Sequence, residues 1–72
     1  MKKLKKIKIK VNGKIKTIID KLTLYQLIND LKIPIKKVAI ELNKEIINKK
    51  EIKKIKLENN DVIEIVHFIG GG

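Results

Sequence analysis

The sequence predicts an α+β fold, with one main helix laid on one face of a mixed sheet of about five strands. Three observations predict it. Apolar residues alternate with polar ones on both sides of Asn12-Gly13, a hairpin signature. A single amphipathic stripe follows, opened by Thr23 and closed before Pro34. Two further alternating runs begin at Val38 and Val62, each bounded by turn residues. A sheet with its helix on one side is the layer arrangement this order favours.

Each element has its own justification. Ile7, Ile9 and Val11 alternate with Lys8 and Lys10, the period of a half-buried strand. Asn12 and Gly13 both tolerate positive φ, and Ile15, Thr17 and Ile19 resume the alternation in a second strand. Thr23 with Gln26 three residues on makes a capping box, with Leu22 and Leu27 at the staple positions. Leu24, Leu27, Ile28 and Leu31 then fall on one helical face. Pro34 stops this helix and biases Ile33 to an extended conformation.

Val38, Ile40 and Leu42 form the third strand, and Asn43-Lys44 turns the chain into a short fourth strand, Glu45 to Ile47. Asn48 caps a brief helical turn with Glu51 three residues later. Ile52 and Ile55 face inward there, and Leu57 continues this satellite packing. Asn59-Asn60-Asp61 is a turn, and Val62 to about Phe68 is the last strand. The expected core is Ile7, Ile9, Leu24, Leu27, Ile28, Leu31, Val38, Ile40, Leu42, Ile63 and Ile65. Residues 1–69 are read as one domain and 70–72 as a flexible glycine tail. The β-β-α-β-β-β order is also that of the ubiquitin-like β-grasp.

Composition narrows the chemistry. A domain of 72 residues hides only about 60% of its unfolded surface. That leaves one modest core and no deep cleft. The sequence holds no Cys, Ser, Arg or Trp, and His67 is its single His. Disulfides, thiolate zinc sites, multi-His metal sites and Ser or Cys nucleophiles are thereby excluded. An enzyme is not expected, and neither a bound cofactor nor a bound metal. No apolar run approaches the ~20 residues of a membrane span, and the N-terminus lacks the pattern of a secretory signal. A soluble, cytoplasmic protein with no membrane partner is expected.

The net charge of +10 raises nucleic acid as a partner. Every strongly basic residue is Lys, however, and Tyr25 and Phe68 are the only aromatics. Guanine readout by Arg and base stacking by aromatics are both missing. Abundant Lys, Ile and Asn also match the codon bias of an AT-rich genome. A basic nucleic-acid-binding domain stays as the alternative of a different class.

The informative feature is Gly70-Gly71-Gly72. Consecutive glycines stabilise nothing in a folded domain. Lacking side chains, they can thread a narrow channel and present a terminal carboxylate to another protein's active site. A carboxylate becomes an acyl donor once it is joined to AMP, and a thiol or persulfide can then attack it. Asp61-Val62-Ile63-Glu64-Ile65-Val66-His67-Phe68-Ile69 followed by these glycines, together with Val38 to Ile46, resembles the ThiS-like sulfur carriers of thiamine biosynthesis. Asn12-Gly13, Thr23-Leu24 and Leu27-Ile28 fit the same family. Two positions depart from it: Lys32 stands where many relatives end the helix with Gly, and Asn59-Asn60 replaces a Gly-containing turn.

The resemblance implies a ubiquitin-like β-grasp and a division of labour. The Gly72 carboxylate would be adenylated by an E1-like adenylyltransferase using ATP. It would become a thiocarboxylate with sulfur from a cysteine desulfurase or another persulfide donor, and would serve thiazole synthase. Gly70 and Gly71 would give access. A sulfur carrier for molybdopterin or another pathway shares this logic and remains the nearer alternative. Val62, Val66 and Phe68 share a strand phase with Glu64, away from the helix-covered face, and are the expected partner-docking residues. His67 is read as structural or solvated.

Overall fold

The computed structural model describes residues 5–68. Gly70, Gly71 and Gly72, expected to be a flexible tail, lie outside the described residues.

Lys6–Val11 (β1) and Lys14–Ile19 (β2) form an antiparallel hairpin around Asn12-Gly13. Both turn residues have positive φ, 50° and 82°, as a two-residue turn between twisted strands requires. Leu24–Asp30 is the helix α1. Val38–Leu42 (β3), Glu45–Ile46 (β4) and Val62–His67 (β5) complete one five-stranded sheet in the order β2-β1-β5-β3-β4. β5 is therefore central, parallel to β1 and antiparallel to β3.

The helix begins as its capping box dictates. Thr23 Oγ1 accepts the Gln26 amide at 3.1 Å, and Gln26 Oε1 accepts the Thr23 amide at 3.0 Å. Its end differs from expectation. The helix stops at Asp30, four residues before Pro34, because Lys32 turns left-handed at φ 56°. The Ile33 amide then bonds the Ile28 carbonyl and the Lys32 amide bonds the Asn29 carbonyl, a Schellman closure. Leu31 becomes the cap and is only half-buried. Pro34 instead opens a short 3-10 turn, Ile35–Lys37, that the sequence pattern did not reveal.

The core comprises Ile7, Ile9, Ile18, Leu24, Leu27, Ile28, Val38, Ile40, Ile52, Leu57, Ile63 and Ile65. Leu42, expected inside, is half-buried at the strand end. Ile52 and Leu57 belong to this core rather than to a satellite, because the segment after β4 crosses back over the helix start. The Leu24 amide bonds the Ile55 carbonyl there, and the Leu57 amide bonds the Leu22 carbonyl.

The second strand requires a correction. Ile15, Thr17 and Ile19 were expected on its apolar phase, but Ile15 is 68% exposed and Ile18 is 7% exposed. The register explains it. Val11 pairs with Lys14, so Ile9 pairs with Lys16 and Ile7 with Ile18. Directly opposite residues share a face, so Ile18 enters the core while Ile15 and Ile19 join Lys10 and Lys6 outside.

Candidate functional site

The site assembles around β5, the strand that leads into the glycines. Its backbone is held from both sides by turn asparagines. On the β1 side, Ile65 lies beyond the end of β1, so its amide and carbonyl have no strand partner there. The Asn12 side chain replaces that partner. Its Oδ1 accepts the Ile65 amide at 2.7 Å and its Nδ2 donates to the Ile65 carbonyl at 3.3 Å. On the β3 side, Asn43 Oδ1 accepts the Val62 amide at 2.9 Å and the Asn43 amide bonds the Val62 carbonyl at 2.7 Å. Asn43 Nδ2 also donates to Asp61 Oδ1 at 3.0 Å. Neither role emerged from sequence reasoning, which used both residues only for their tolerance of positive φ. The available signal was the choice of Asn, whose carboxamide carries both a donor and an acceptor like a peptide unit.

One further backbone bond is made just past the end of the strand. The Phe68 amide donates to the Lys37 carbonyl at 2.9 Å. Residue 68 is thus held by a backbone bond, four residues before Gly72 in the sequence.

Val62, Val66 and Phe68 are exposed, at 37%, 57% and 57%. They do not form one patch. Val62 lies beside Lys10 at the start of β5, and with Ile15 it lines a depression on the outer sheet face. Val66 lies near the other end, opposite Ala39, about 13 Å along the strand at ~3.3 Å per residue. Glu64 separates them and faces Glu41 directly across the strand pair. Val66 and Phe68 therefore stand together at the tail end. Phe68, one residue beyond the strand, carries the Lys49 ammonium 5.2 Å from its ring centroid. His67 is exposed and pairs in register with Val38.

Among the described residues, no cluster of three or more His, Cys, Asp or Glu could hold a metal ion. Among the same residues, no helix is long and apolar enough to cross a membrane. Four open surface depressions among the described residues are lined mostly by lysines and aliphatic groups. What the molecule offers is an anchored strand end beside apolar and basic surface.

A mixed five-stranded sheet with β5 at its centre and one helix on one face is a ubiquitin-like β-grasp domain. The chain belongs to the ThiS family, whose model matches residues 9–72 and so runs through the glycines. The sulfur carrier protein ThiS of Bacillus subtilis is 50% identical over 56 residues, covering 78% of this chain and 76% of that protein. A crystal structure of the thiamine biosynthesis protein ThiS from Geobacter metallireducens superposes with a TM-score of 0.81 at 29% identity. It covers 92% of this chain and 100% of that one. Thiazole synthase of Paramagnetospirillum magneticum is 35% identical over 66 residues, which are 92% of this chain but only 20% of that enzyme.

Proposed function

We propose that this protein is the sulfur carrier of thiamine biosynthesis and that Gly72 is the group that carries the sulfur. The supporting observation is the match to the ThiS family through Gly72, on a fold that anchors Phe68 and leaves four residues beyond it. Four extended residues reach at most about 14 Å, enough for a carboxylate to enter a neighbouring active site while the domain stays outside.

The chemistry then divides between proteins. An E1-like adenylyltransferase binds ATP, and the Gly72 carboxylate attacks the α-phosphorus with loss of pyrophosphate. The terminal sulfur of a persulfide, from a cysteine desulfurase or another donor, attacks the acyl carbon and displaces AMP. Reduction of the resulting acyl disulfide by a thiol leaves the thiocarboxylate. Thiazole synthase takes the sulfur from it. The presence of a matching stretch within a protein named thiazole synthase supports that enzyme as the partner. The carrier itself catalyses nothing, holds no cofactor and acts in the cytoplasm. Gly70 and Gly71 keep the channel entry free of side chains. Val66 and Phe68 supply the apolar contact nearest the tail, and Val62 a second contact further along the sheet.

Intact-protein mass spectrometry tests this reading. Incubation with ATP, a persulfide donor and the cognate adenylating enzyme should exchange one oxygen for sulfur, and fragmentation should place the change on Gly72. A change mapped to a lysine, or one that persists after removal of Gly71 and Gly72, would falsify the proposal.

A further inference from the structure

A groove opens beside the tail base on the flank formed by the helix and the turn after β4. Its floor holds Tyr25, half-buried, and Ile52, 4% exposed. Its rim holds Lys36, Lys49, Lys50 and Lys53, and no carboxylate lines it. Glu51, the acid on the same turn, is paired with Lys54 at 3.6 Å. Both aromatic rings of the chain are engaged by this rim: Lys53 stands 4.7 Å over Tyr25 and Lys49 stands 5.2 Å over Phe68. Lys49 thus joins the groove to the base of the tail. The Lys37 carbonyl that holds Phe68 follows directly on Lys36. The outer sheet face near Val66 is different in charge, with Glu41 and Glu64 side by side.

We propose that this basic groove docks an acidic segment of thiazole synthase, one bearing an apolar side chain that reaches Tyr25 and Ile52. The argument is charge complementarity. Four like charges around a small apolar floor repel one another unless an anionic partner covers them, and desolvated pairs there would be stronger than on an open surface. Lys49 lies over Phe68, four residues before Gly72 in the sequence, so a partner that receives the C-terminus and contacts Phe68 also meets this rim. The identity of the partner rests on the thiamine reading above; the groove's preference for acidic protein does not.

The association rate of the full chain with thiazole synthase, measured across a salt series, tests it. Lys49→Gln/Lys50→Gln/Lys53→Gln should lower that rate about tenfold at low salt and flatten its salt dependence. Lys5→Gln/Lys6→Gln/Lys44→Gln removes the same charge at the opposite end of β5 and should change the rate by less than about twofold. Lys36→Gln/Lys50→Gln touches neither aromatic ring and should show an intermediate loss with unchanged thermal stability. Equal losses from the two triple variants, or no loss from either, overturn the proposal. So does a loss confined to the adenylating enzyme, or an oligonucleotide that binds the groove while thiazole synthase binds wild type and variant alike. Thiocarboxylate formation on wild-type protein, read by mass, is a separate measurement. Its failure beside an intact groove effect would refute the carrier function and not the groove.

Discussion

Asn12 carries two duties that a single substitution separates. Its φ of 50° suits the hairpin turn, and its carboxamide closes the ladder at Ile65. Asn12→Gly keeps the backbone freedom and removes the clamp. Leaving the Ile65 amide and carbonyl unpaired should cost about 1–3 kcal/mol, and amide exchange should quicken at Ile65 before it does at Ile9. Lys32 presents the opposite case. A lysine held at φ 56° pays the left-handed penalty of an L-residue, which glycine avoids. Lys32→Gly should therefore raise stability by about 1 kcal/mol in denaturant unfolding. An unchanged midpoint would mean that the Schellman bonds are not retained in the variant.

At the scale of the element, the hairpin shows how register outweighs local pattern. The run from Lys14 to Ile19 contains isoleucines on both phases, so alternation alone cannot choose the inner face. The two-residue turn chooses it by pairing Val11 with Lys14. Ile18→Ala should cost about 2–4 kcal/mol, whereas Ile15→Ala should change stability by about 0.5 kcal/mol or less. Equal effects in thermal unfolding would contradict the register. The same edge strand keeps Lys14, Lys16 and Thr17 among its isoleucines. Such charges discourage pairing of the open edge with another sheet.

For the whole molecule, the sheet order matters most. Placing β5 between β1 and β3 pairs its backbone on both sides. The strand that carries the tail is thereby among the hardest to displace. In the proposed carrier function, a pull on the terminal residues would therefore not unravel the domain. Phe68→Ala removes exposed apolar surface and one cation-π contact but nothing from the core. It should leave the melting temperature within a few degrees while weakening association with the adenylating enzyme or thiazole synthase about tenfold. A collapse of stability would assign Phe68 to the core instead, and unchanged affinity for both enzymes would remove it from the docking surface.

The sequence by itself determined the features that depend on neighbours along the chain. Asn12-Gly13, the Thr23–Gln26 box and the alternation of Val38 to Leu42 each state a local geometry, and each was found where its residues stand. The tail glycines and the final strand were likewise sufficient to point to the ThiS family. Tertiary structure alone decided what depends on distant partners. Ile18 is inside because of Ile7, and Leu57 is in the main core because its amide reaches Leu22. Asn12 clamps a strand more than fifty residues away, and Lys49 comes to lie over Phe68. These pairings involve groups whose sequence separation carries no periodic signal. Only the burial of one shared core, which forces β5 between β1 and β3, brings them within reach.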